Sequence, residues 1–403
     1  MDILDKYDLS ASRHSHLISI GQDPFGVIME SIYSATEGKI NGRRTILAGT
    51  NNYLGLTFEP ATIDAAMRAL ETLGTGTTGS RIANGTHRSH TQLEEALARF
   101  LNRRSVLVFS TGYQANLGAI AGLAGPKDVV FVDADSHASI YDGCKLSGAT
   151  VVRFRHNDPH DLDRRLARMS AEDTCKLIIV EGLYSMLGDK APLAELAEVK
   201  VKHGAFLMVD EAHSLGVLGA HGRGAAEAGG VEADVDFVVG TFSKTLGATG
   251  GFLASNHPRF DVLRFCARPY MYTASASPAT VASVLAALGV VETRPKMRDC
   301  LLTNGSALRE GLIALGFDIA SPEGPIVAIR MPDEETAVFA WNRLLTHGVY
   351  VNLALPPGTP NNLCILRCSL SAAHTRAQID TLCHRFAAVA LELRSRTAVE
   401  AAE

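Results

Sequence analysis

Short apolar runs alternate with longer amphipathic stretches through the middle of the chain. The runs SVLVFS, VVFVD, LIIVEG, FLMVD and FVVGT are each too short for a helix, and helix-like segments such as GYQANLGAIAGLA lie between them. Because Val, Ile, Leu and Phe fill these runs almost completely, we expect strands that are buried on both faces. The pattern therefore predicts an α/β fold with a largely parallel central sheet flanked by helices.

The two ends of the chain have a different pattern. Residues 1–50 are mixed and polar, and they predict an N-terminal arm. After Pro278, two helix-like segments precede three short strands, PIVAIRM, VYVNLAL and LCILRCSL, which is typical of an α+β unit. We therefore expect the arm to be followed by a large domain at residues 51–275 and a smaller C-terminal domain at residues 276–403.

Two familiar nucleotide motifs occur in the wrong context. A helix is predicted from Pro60 to Leu73, with Ile63, Met67 and Leu70 on one face, and GTGTTG follows it directly. This motif matches G-x-G-x-x-G, but a nicotinamide site requires a strand before it rather than a helix. The helicase-like DEAH motif has no accompanying G-x-x-x-x-G-K-[ST] phosphate loop. Both nucleotide-binding interpretations are set aside.

Composition indicates an ordinary globular enzyme. The chain has 403 residues, of which 46% are hydrophobic and 20% are charged, enough for about two domains. A net charge of -5 does not indicate a nucleic-acid-binding protein. The seven cysteines include no C-x-x-C pair and support neither a metal site nor a disulfide framework. With no signal-peptide pattern or membrane-length apolar run, we expect a cytoplasmic protein, with peripheral membrane contact left open.

The stretch FVVGTFSKTLGATGG carries the most distinctive chemistry. Its apolar start predicts a strand, and the glycine-rich turn that follows contains Thr241, Ser243 and Lys244. Ligands of α/β proteins bind beyond the carboxyl ends of strands, so this lysine is a candidate to form a Schiff base with pyridoxal phosphate. The alternative is a solvated turn, because Ser, Thr, Lys and Gly are common in turns.

A second strand end supplies the partner that this lysine needs. The run FLMVD ends in Asp210, and His213 follows three residues later. A carboxylate can keep the pyridine nitrogen of pyridoxal phosphate protonated, and the histidine can reach the phenolic oxygen of the ring. The alternative is an aspartate that only caps the next segment.

Three further strand ends carry candidate residues. Gly112 and Tyr113 open a predicted helix, whose N-terminal N–H groups could bind phosphate. His137 follows VVFVDADS and could stack on a flat cofactor or hold a substrate carboxylate, and Ser185 follows LIIVEGLY. A plain strand-to-helix turn and a solvated loop histidine are the alternatives at the first two places.

Two candidate substrate-binding residues lie outside these strands. Arg367 lies within the last apolar strand, and burying its charge is costly unless an anion meets it. A substrate carboxylate would suit the fork of its guanidinium, and a structural ion pair is the alternative. Asn52 belongs to the irregular loop NNYLGL, whose composition suits a binding segment.

Together these segments resemble a known family. NNYLGL, TGSRIANGTH, FSTGYQANLG, DADSHASIYDG, EGLYSMLGD, VDEAHSLGVLGAHGRG, GTFSKTLGATGG and LRCSLSAAHT are similar, in the same order, to segments of the α-oxoamine synthases. These are pyridoxal phosphate enzymes of fold type I, and the resemblance covers nearly the whole chain. Two positions depart from the pattern: Ala83 replaces a larger apolar residue, and Gly358 replaces an alanine that is frequent in close relatives.

The resemblance implies a role for each candidate. Lys244 would form the Schiff base, Asp210 would pair with the pyridine nitrogen, and His137 would stack on the ring. His213 would contact the phenolic oxygen, and Arg367 would bind the substrate carboxylate. The phosphate and the rest of the cofactor would be held by Gly112, Tyr113, Ser185, Thr241 and Ser243.

The resemblance also implies an activity. The local matches, with the loop VNLALPPGTP, are similar to members that condense L-serine with a long-chain acyl thioester to give 3-ketosphinganine, the first step of sphingolipid synthesis. The donor would be a thioester of coenzyme A or of an acyl carrier protein. Such enzymes are homodimers with a shared active site, to which Asn52 would contribute. The alternatives are the 8-amino-7-oxononanoate synthase and glycine C-acetyltransferase types, or a non-catalytic partner subunit.

Overall fold

The computed structural model describes residues 2–169 and 174–400. The chain forms two compact units. The first contains Met1–Tyr53, Met186–Gly188 and Cys300–Glu403, and the second contains Leu54–Ser185 and Asp189–Asp299. Within the described residues, no helix combines the length and the apolar character needed to cross a lipid bilayer.

The elements are numbered in chain order. The strands are β1 (Met29–Ile32), β2 (Glu37–Ile40), β3 (Arg43–Leu47), β4 (Ser105–Phe109), β5 (Val129–Asp133), β6 (Thr150–Phe154), β7 (Lys176–Glu181), β8 (Phe206–Asp210), β9 (Phe237–Thr241), β10 (Gly251–Ser255), β11 (Ile326–Met331), β12 (Val349–Tyr350), β13 (Asn352–Ala354) and β14 (Cys364–Ser369). The α-helices are α1 (Asp8–Ile20), α2 (Pro60–Leu73), α3 (Arg88–Phe100), α4 (Gly112–Leu123), α5 (Ala138–Ser147), α6 (Pro159–Ala167), α7 (Leu193–His203), α8 (Ala225–Ala228), α9 (Arg268–Met271), α10 (Pro278–Thr293), α11 (Lys296–Ala314), α12 (Glu334–Thr346) and α13 (Arg376–Glu400). Short 3-10 helices lie at Asp5–Tyr7, Leu56–Phe58, Phe260–Phe265 and Pro360–Asn362.

The second unit is built on a seven-stranded sheet with the order β4-β10-β9-β8-β7-β5-β6. Strands β5 to β9 pair in parallel, whereas β10 is antiparallel to both of its neighbours. Every residue of β5 and β9 is buried, as expected for strands covered by helices on both faces. The predicted α/β fold with a largely parallel sheet is therefore confirmed.

One face of this sheet packs against α4 and α5. Ile179 from the sheet and Ile120 and Ile140 from the helices belong to one buried cluster, each with 0% exposure. A fully buried side chain of this size contributes about 1.5–3 kcal/mol to folding. This packing fixes the start of both helices relative to the strands.

The first unit contains two smaller sheets, with the orders β1-β2-β3-β12 and β11-β14-β13. The predicted C-terminal α+β character is confirmed, but the segment VYVNLAL is not one strand. Its first part, β12, pairs with β3, and its second part, β13, pairs with β14 in the other sheet. The chain changes sheets at Val351, where Gly49 permits a close approach: a Cβ on that glycine would lie 2.9 Å from the nitrogen of Asn352.

The compact units do not follow the predicted limits at residues 50 and 275. Helix α10 packs on α2 and α3 within the second unit, and the N-terminal residues group with the C-terminal part in the first. The three-part domain division stays a prediction. The predicted helix from Pro60 to Leu73 is confirmed with those bounds as α2.

A charged cluster fastens the loop that follows β7. His156 binds Asp133 at the end of β5 through Nδ1 (2.8 Å) and Asp189 through Nε2 (2.7 Å). The ring of Tyr184 packs edge-on against the same imidazole at 4.5 Å. Burial alone would lower the pKa of His156, but its hydrogen bonds to the two aspartates outweigh burial and raise the pKa to about 10. The loop that carries Ser185 is thus held by a protonated histidine.

We expect His156→Gln to lower the melting temperature at pH 7, corresponding to a loss of about 1–3 kcal/mol. Because the folded pKa is raised above the unfolded value of 6.5, this stabilisation is complete below pH 6.5 and disappears as the pH rises through about 10. Thermal melts from pH 6 to 10.5 should show the difference from wild type narrowing with pH. The exposed His160 on α6 provides the control, His160→Gln. A difference that does not change with pH would contradict the account.

Candidate active site

The carboxyl ends of several strands meet at one edge of the seven-stranded sheet. Strands β5, β7, β8 and β9 are parallel, and β4 runs in the same direction because β4 and β9 are both antiparallel to β10. Residues that follow these strands therefore come together, as ligand-binding residues do in α/β sheets.

A cavity of about 270 Å³ lies at this edge. It brings together eight of the residues singled out from the sequence, which come from the ends of β4, β5, β8 and β9. They are Gly112, Tyr113, His137, Asp210, His213, Thr241, Ser243 and Lys244.

The other three predicted site residues do not line this cavity. Ser185 is half-buried in the loop after β7, next to Tyr184. Asn52 and Arg367 belong to the first unit. On β14, Arg367 is 5% exposed and donates from Nη1 to Ser369 Oγ (2.7 Å) and to Asn51 Oδ1 (3.3 Å). These hydrogen bonds orient the guanidinium, whose planar fork matches the geometry of a carboxylate.

Asp210 is held in a fixed orientation at the end of β8. It is 5% exposed, its Oδ1 accepts from the N–H of Ala212 (2.9 Å) and its Oδ2 accepts from Asn116 Nδ2 (2.7 Å). Asn116 lies on α4, is 2% exposed and also lines the cavity. A carboxylate held in this way can bind a cationic N–H group within the cavity.

A second carboxyl group lies beside Asp210. Glu181 ends β7, pairs in register with Asp210 and accepts the backbone N–H of His137 at 2.6 Å. Burial raises the pKa of Glu181 to about 8, and the neighbouring charge of Asp210 acts in the same direction. Glu181 is therefore largely protonated at neutral pH, so the two neighbouring carboxyl groups do not both carry a negative charge.

His137 caps the start of α5. Its surface is exposed because it lines an open cavity. The surrounding protein nevertheless desolvates the imidazole, and this lowers the pKa of His137. The charge of Asp210 opposes this shift and that of Lys244 adds to it. The ring is therefore neutral over most of the physiological pH range, and a neutral imidazole can stack on a flat ring without charge repulsion.

The part of the cavity that is lined by the start of α4 is suited to a phosphate group. Helix α4 begins at Gly112, with Thr111 Oγ1 accepting from the N–H of Gln114 (3.1 Å). The helix start approaches β9 so closely that a Cβ on Gly112 would lie 2.8 Å from Thr241 Cβ. Free N–H groups at a helix N-terminus, with the hydroxyls of Thr241 and Ser243 2.9 Å apart beside them, form a site for an anion.

Tyr113 and Lys244 complete the lining. The hydroxyl of Tyr113 donates to Asp142, which raises the pKa of Tyr113, and the two rings of Tyr113 and His137 meet edge to face at 6.2 Å. Lys244 is half-buried in the turn after β9. Its charge acts on both His137 and Glu181, which places its ammonium group within electrostatic reach of the acid end of the cavity.

Asn116, Ser139 and Glu181 are among the lining residues that sequence reasoning missed. Glu181 had a usable signal, because the apolar run LIIV is followed by an acid just as FLMV is. Asn116 and Ser139 had none, since each lies inside a helical segment and is brought to the cavity only by the packing of α4 and α5.

The model of the family described as aminotransferase class I and II matches residues 44–386. The chain belongs to this family. The serine palmitoyltransferase of Caulobacter vibrioides is 54% identical over 382 residues, which cover 95% of each chain. That of Sphingomonas paucimobilis is 50% identical over 390 residues, which cover 96% of this chain and 93% of the relative. The predicted resemblance is confirmed.

A solved structure of serine palmitoyltransferase (SPT) contains pyridoxal phosphate (PLP) as the internal aldimine. Its comparison with this chain gives a TM-score of 0.95 and a sequence identity of 48%. The match covers 98% of this chain and 99% of that one. The predicted fold type I architecture is therefore confirmed.

The residues at the sheet edge fit pyridoxal phosphate, the cofactor of this SPT structure. A buried carboxylate, a lysine, a helix N-terminus and two hydroxyls correspond to the pyridine nitrogen, the aldehyde and the phosphate of that molecule. Asn116 Oδ1 is also buried without a hydrogen-bond partner in the described part of the chain, as expected for a site that receives a further group.

We expect Glu181→Gln to become more stable relative to wild type as the pH rises. The folded pKa of Glu181 is raised from 4.5 to about 8, so the folded wild type keeps a proton that the unfolded chain releases, and it loses stability between these values. Glutamine keeps the acceptor for His137 and removes the titration. Thermal melts at pH 5 and pH 8 should show the variant-minus-wild-type difference moving in favour of the variant.

The exposed Glu95 on α3 provides the control, because Glu95→Gln removes a carboxyl group that is in contact with solvent. If Glu181→Gln behaves like this control at both pH values, Glu181 does not carry the raised pKa.

Proposed function

We propose that this chain catalyses the decarboxylative condensation of L-serine with a long-chain acyl thioester. The products are 3-ketosphinganine, carbon dioxide and the free thiol, and the reaction is the first step of sphingolipid synthesis. The cavity that gathers Lys244, Asp210 and His137 with a phosphate-binding helix start carries the proposal for the chemistry. Similarity to two serine palmitoyltransferases, at 54% and 50% identity over nearly the full chain, supports serine and a palmitoyl-type donor as substrates.

Pyridoxal phosphate, when bound, withdraws electrons from the α-carbon of an attached amino acid. Asp210 would keep the pyridine nitrogen protonated, and this role suits the one carboxyl group of the buried pair that stays charged beside protonated Glu181. Gly112, Tyr113, Thr241 and Ser243 would hold the phosphate, and Ser185 would complete the cofactor site.

Lys244 would first hold the cofactor and then, once serine has displaced it, act as the base that takes the α-proton. The same amine could return a proton to the product.

His213 would contact the phenolic oxygen of the cofactor, and His137 would stack on its ring. His137 would also orient the substrate carboxylate, which Arg367 would bind through its guanidinium fork. Hydrogen bonds to Asn51 and Ser369 hold the guanidinium of Arg367 in a fixed orientation, which supports this role. Asn52 is proposed as a further substrate-binding residue.

The sister reactions use the same constellation with other substrates. An 8-amino-7-oxononanoate synthase takes alanine with a pimeloyl thioester, and a glycine C-acetyltransferase takes glycine with an acetyl thioester. The identities of 54% and 50% to serine palmitoyltransferases favour serine over both. A non-catalytic partner subunit is disfavoured because such subunits typically lose the lysine, and this chain has Lys244.

We also propose a homodimer, acting in the cytoplasm, with an active site shared between the copies. The apolar face of α2 predicted from the sequence does not pack into the core: Ile63, Met67 and Leu70 are 40%, 54% and 44% exposed. Leu73 at the end of the same helix is 47% exposed. A second copy of the chain would cover this stripe, which supports an interface along α2.

Purified protein supplied with pyridoxal phosphate, L-serine and palmitoyl-coenzyme A should release 3-ketosphinganine, measured by mass spectrometry. Lys244→Ala should lower the rate at least about 1,000-fold while the protein still binds some cofactor. Lys190→Ala, in the loop after β7, is the control and should keep wild-type activity. Turnover by Lys244→Ala at the wild-type rate would contradict the mechanism, and faster turnover of alanine or glycine with their own thioesters would contradict the substrate.

Met67→Glu should weaken the proposed dimer, because it places a charge within the apolar stripe of α2. Sedimentation velocity at low micromolar concentration should show a dimer for wild type and a larger monomer fraction for the variant. Val201 on α7 is 67% exposed, and Val201→Glu is the matched control that should remain dimeric. An unchanged sedimentation coefficient for Met67→Glu would remove α2 from the interface.

A further inference from the structure

Two buried polar side chains connect Asp210 to His137. Asn116 Nδ2 lies 2.7 Å from Asp210 Oδ2 and 2.9 Å from Ser139 Oγ. Ser139 Oγ in turn lies 2.7 Å from His137 Nδ1. Asn116 and Ser139 are 2% and 1% exposed, so water does not compete for these bonds. The four groups form a continuous chain between the ends of β8 and β5.

The direction of each hydrogen bond follows from what each group can donate. The carboxylate of Asp210 only accepts, so Asn116 must turn its amide nitrogen toward it. Both hydrogens of that nitrogen are then used, one on Asp210 and one on Ser139 Oγ. The amide oxygen of Asn116 has no hydrogen-bond partner in the described residues.

The next bond, between Ser139 and His137, is decided by the two donors of Ser139, its hydroxyl and its backbone N–H. Because Ser139 Oγ accepts from Asn116, its single hydrogen is available for His137 Nδ1. The backbone N–H of Ser139 points to the same ring nitrogen at 3.2 Å. His137 Nδ1 is therefore an acceptor, and a neutral ring must carry its proton on Nε2.

We propose that Asn116 and Ser139 are positioning residues that hold His137 as the Nε2–H tautomer, with a hydrogen-bond donor available in the cavity. Such a donor recognises an oxygen with negative charge, such as the carboxylate of an amino-acid substrate. The opposite tautomer would offer a lone pair at the same place and repel that carboxylate. The consequence for substrate binding rests on the proposed function, whereas the tautomer itself does not.

The surroundings of His137 agree with a neutral ring. Glu181 accepts its backbone N–H, Asp210 and Lys244 act on the imidazole from β8 and from the turn after β9, and Tyr113 meets the ring from α4. Desolvation is the largest influence on its pKa and lowers it. The choice between tautomers therefore matters over the working pH range.

The chain offers a matched pair of serines for the test. Ser139→Ala removes the hydroxyl in the relay, and Ser136→Ala removes a buried hydroxyl three residues earlier that has no hydrogen-bond partner among the described residues. Protein with ¹⁵N-labelled histidine would be studied by solid-state NMR, with His137 assigned from a His137→Gln difference spectrum. Wild type and Ser136→Ala should show Nε2–H alone. Ser139→Ala keeps only the longer backbone N–H contact to Nδ1 at 3.2 Å, and we expect it to show a measurable fraction of the Nδ1–H tautomer.

A second readout follows L-serine binding through the absorbance of the bound cofactor. Ser139→Ala should raise the dissociation constant about tenfold, and Ser136→Ala should leave it unchanged. Ser139→Cys, which keeps the shape and supplies only a weak donor, replaces the alanine variant if that variant does not fold. An Nδ1–H tautomer in wild type, or an unchanged tautomer in both Ser139 variants, would overturn the proposal. The NMR result is independent of turnover, so failure of the proposed function would be recognised separately.

Discussion

The site depends on burying carboxyl groups side by side at the end of a parallel sheet. Asp210 and Glu181 are 5% and 4% exposed and occupy paired positions on β8 and β7. Two adjacent negative charges cannot both be kept in such a place, so one acid remains protonated. Burial raises the pKa of Glu181, and the charge of the neighbouring Asp210 acts in the same direction. The polarity of the whole cavity follows from this division.

The acid end organises the other functional groups. Protonated Glu181 anchors the backbone of His137, and charged Asp210 fixes Asn116 and, through it, Ser139. The start of α4 also lines the cavity, so the lining offers a carboxylate to a cationic ring and a helix N-terminus to an anionic phosphate. The sheet and its two packed helices therefore provide the orientation that the chemistry requires, and the His156 cluster fixes the neighbouring loop.

Much of this arrangement could be predicted from the sequence because the carboxyl ends of parallel strands meet at one edge of a sheet. Apolar runs identified the strands, and residues just after them were expected to meet, as Lys244, Asp210, His137 and Gly112 do. Asn116 could not be found in this way, because a polar residue inside a helix has no strand end to mark it. The split of VYVNLAL into β12 and β13 also escaped the pattern, since alternation of side chains does not reveal a change of sheet.

The most direct measurement is the absorbance spectrum of the purified protein with pyridoxal phosphate, titrated in parallel with L-serine, L-alanine and glycine. The account predicts a cofactor band that shifts saturably, with serine effective at the lowest concentration. A band that responds best to alanine or glycine would retain the family and contradict the assignment of serine. A protein that remains colourless after incubation with the cofactor would contradict the central claim that the cavity around Lys244 and Asp210 binds it.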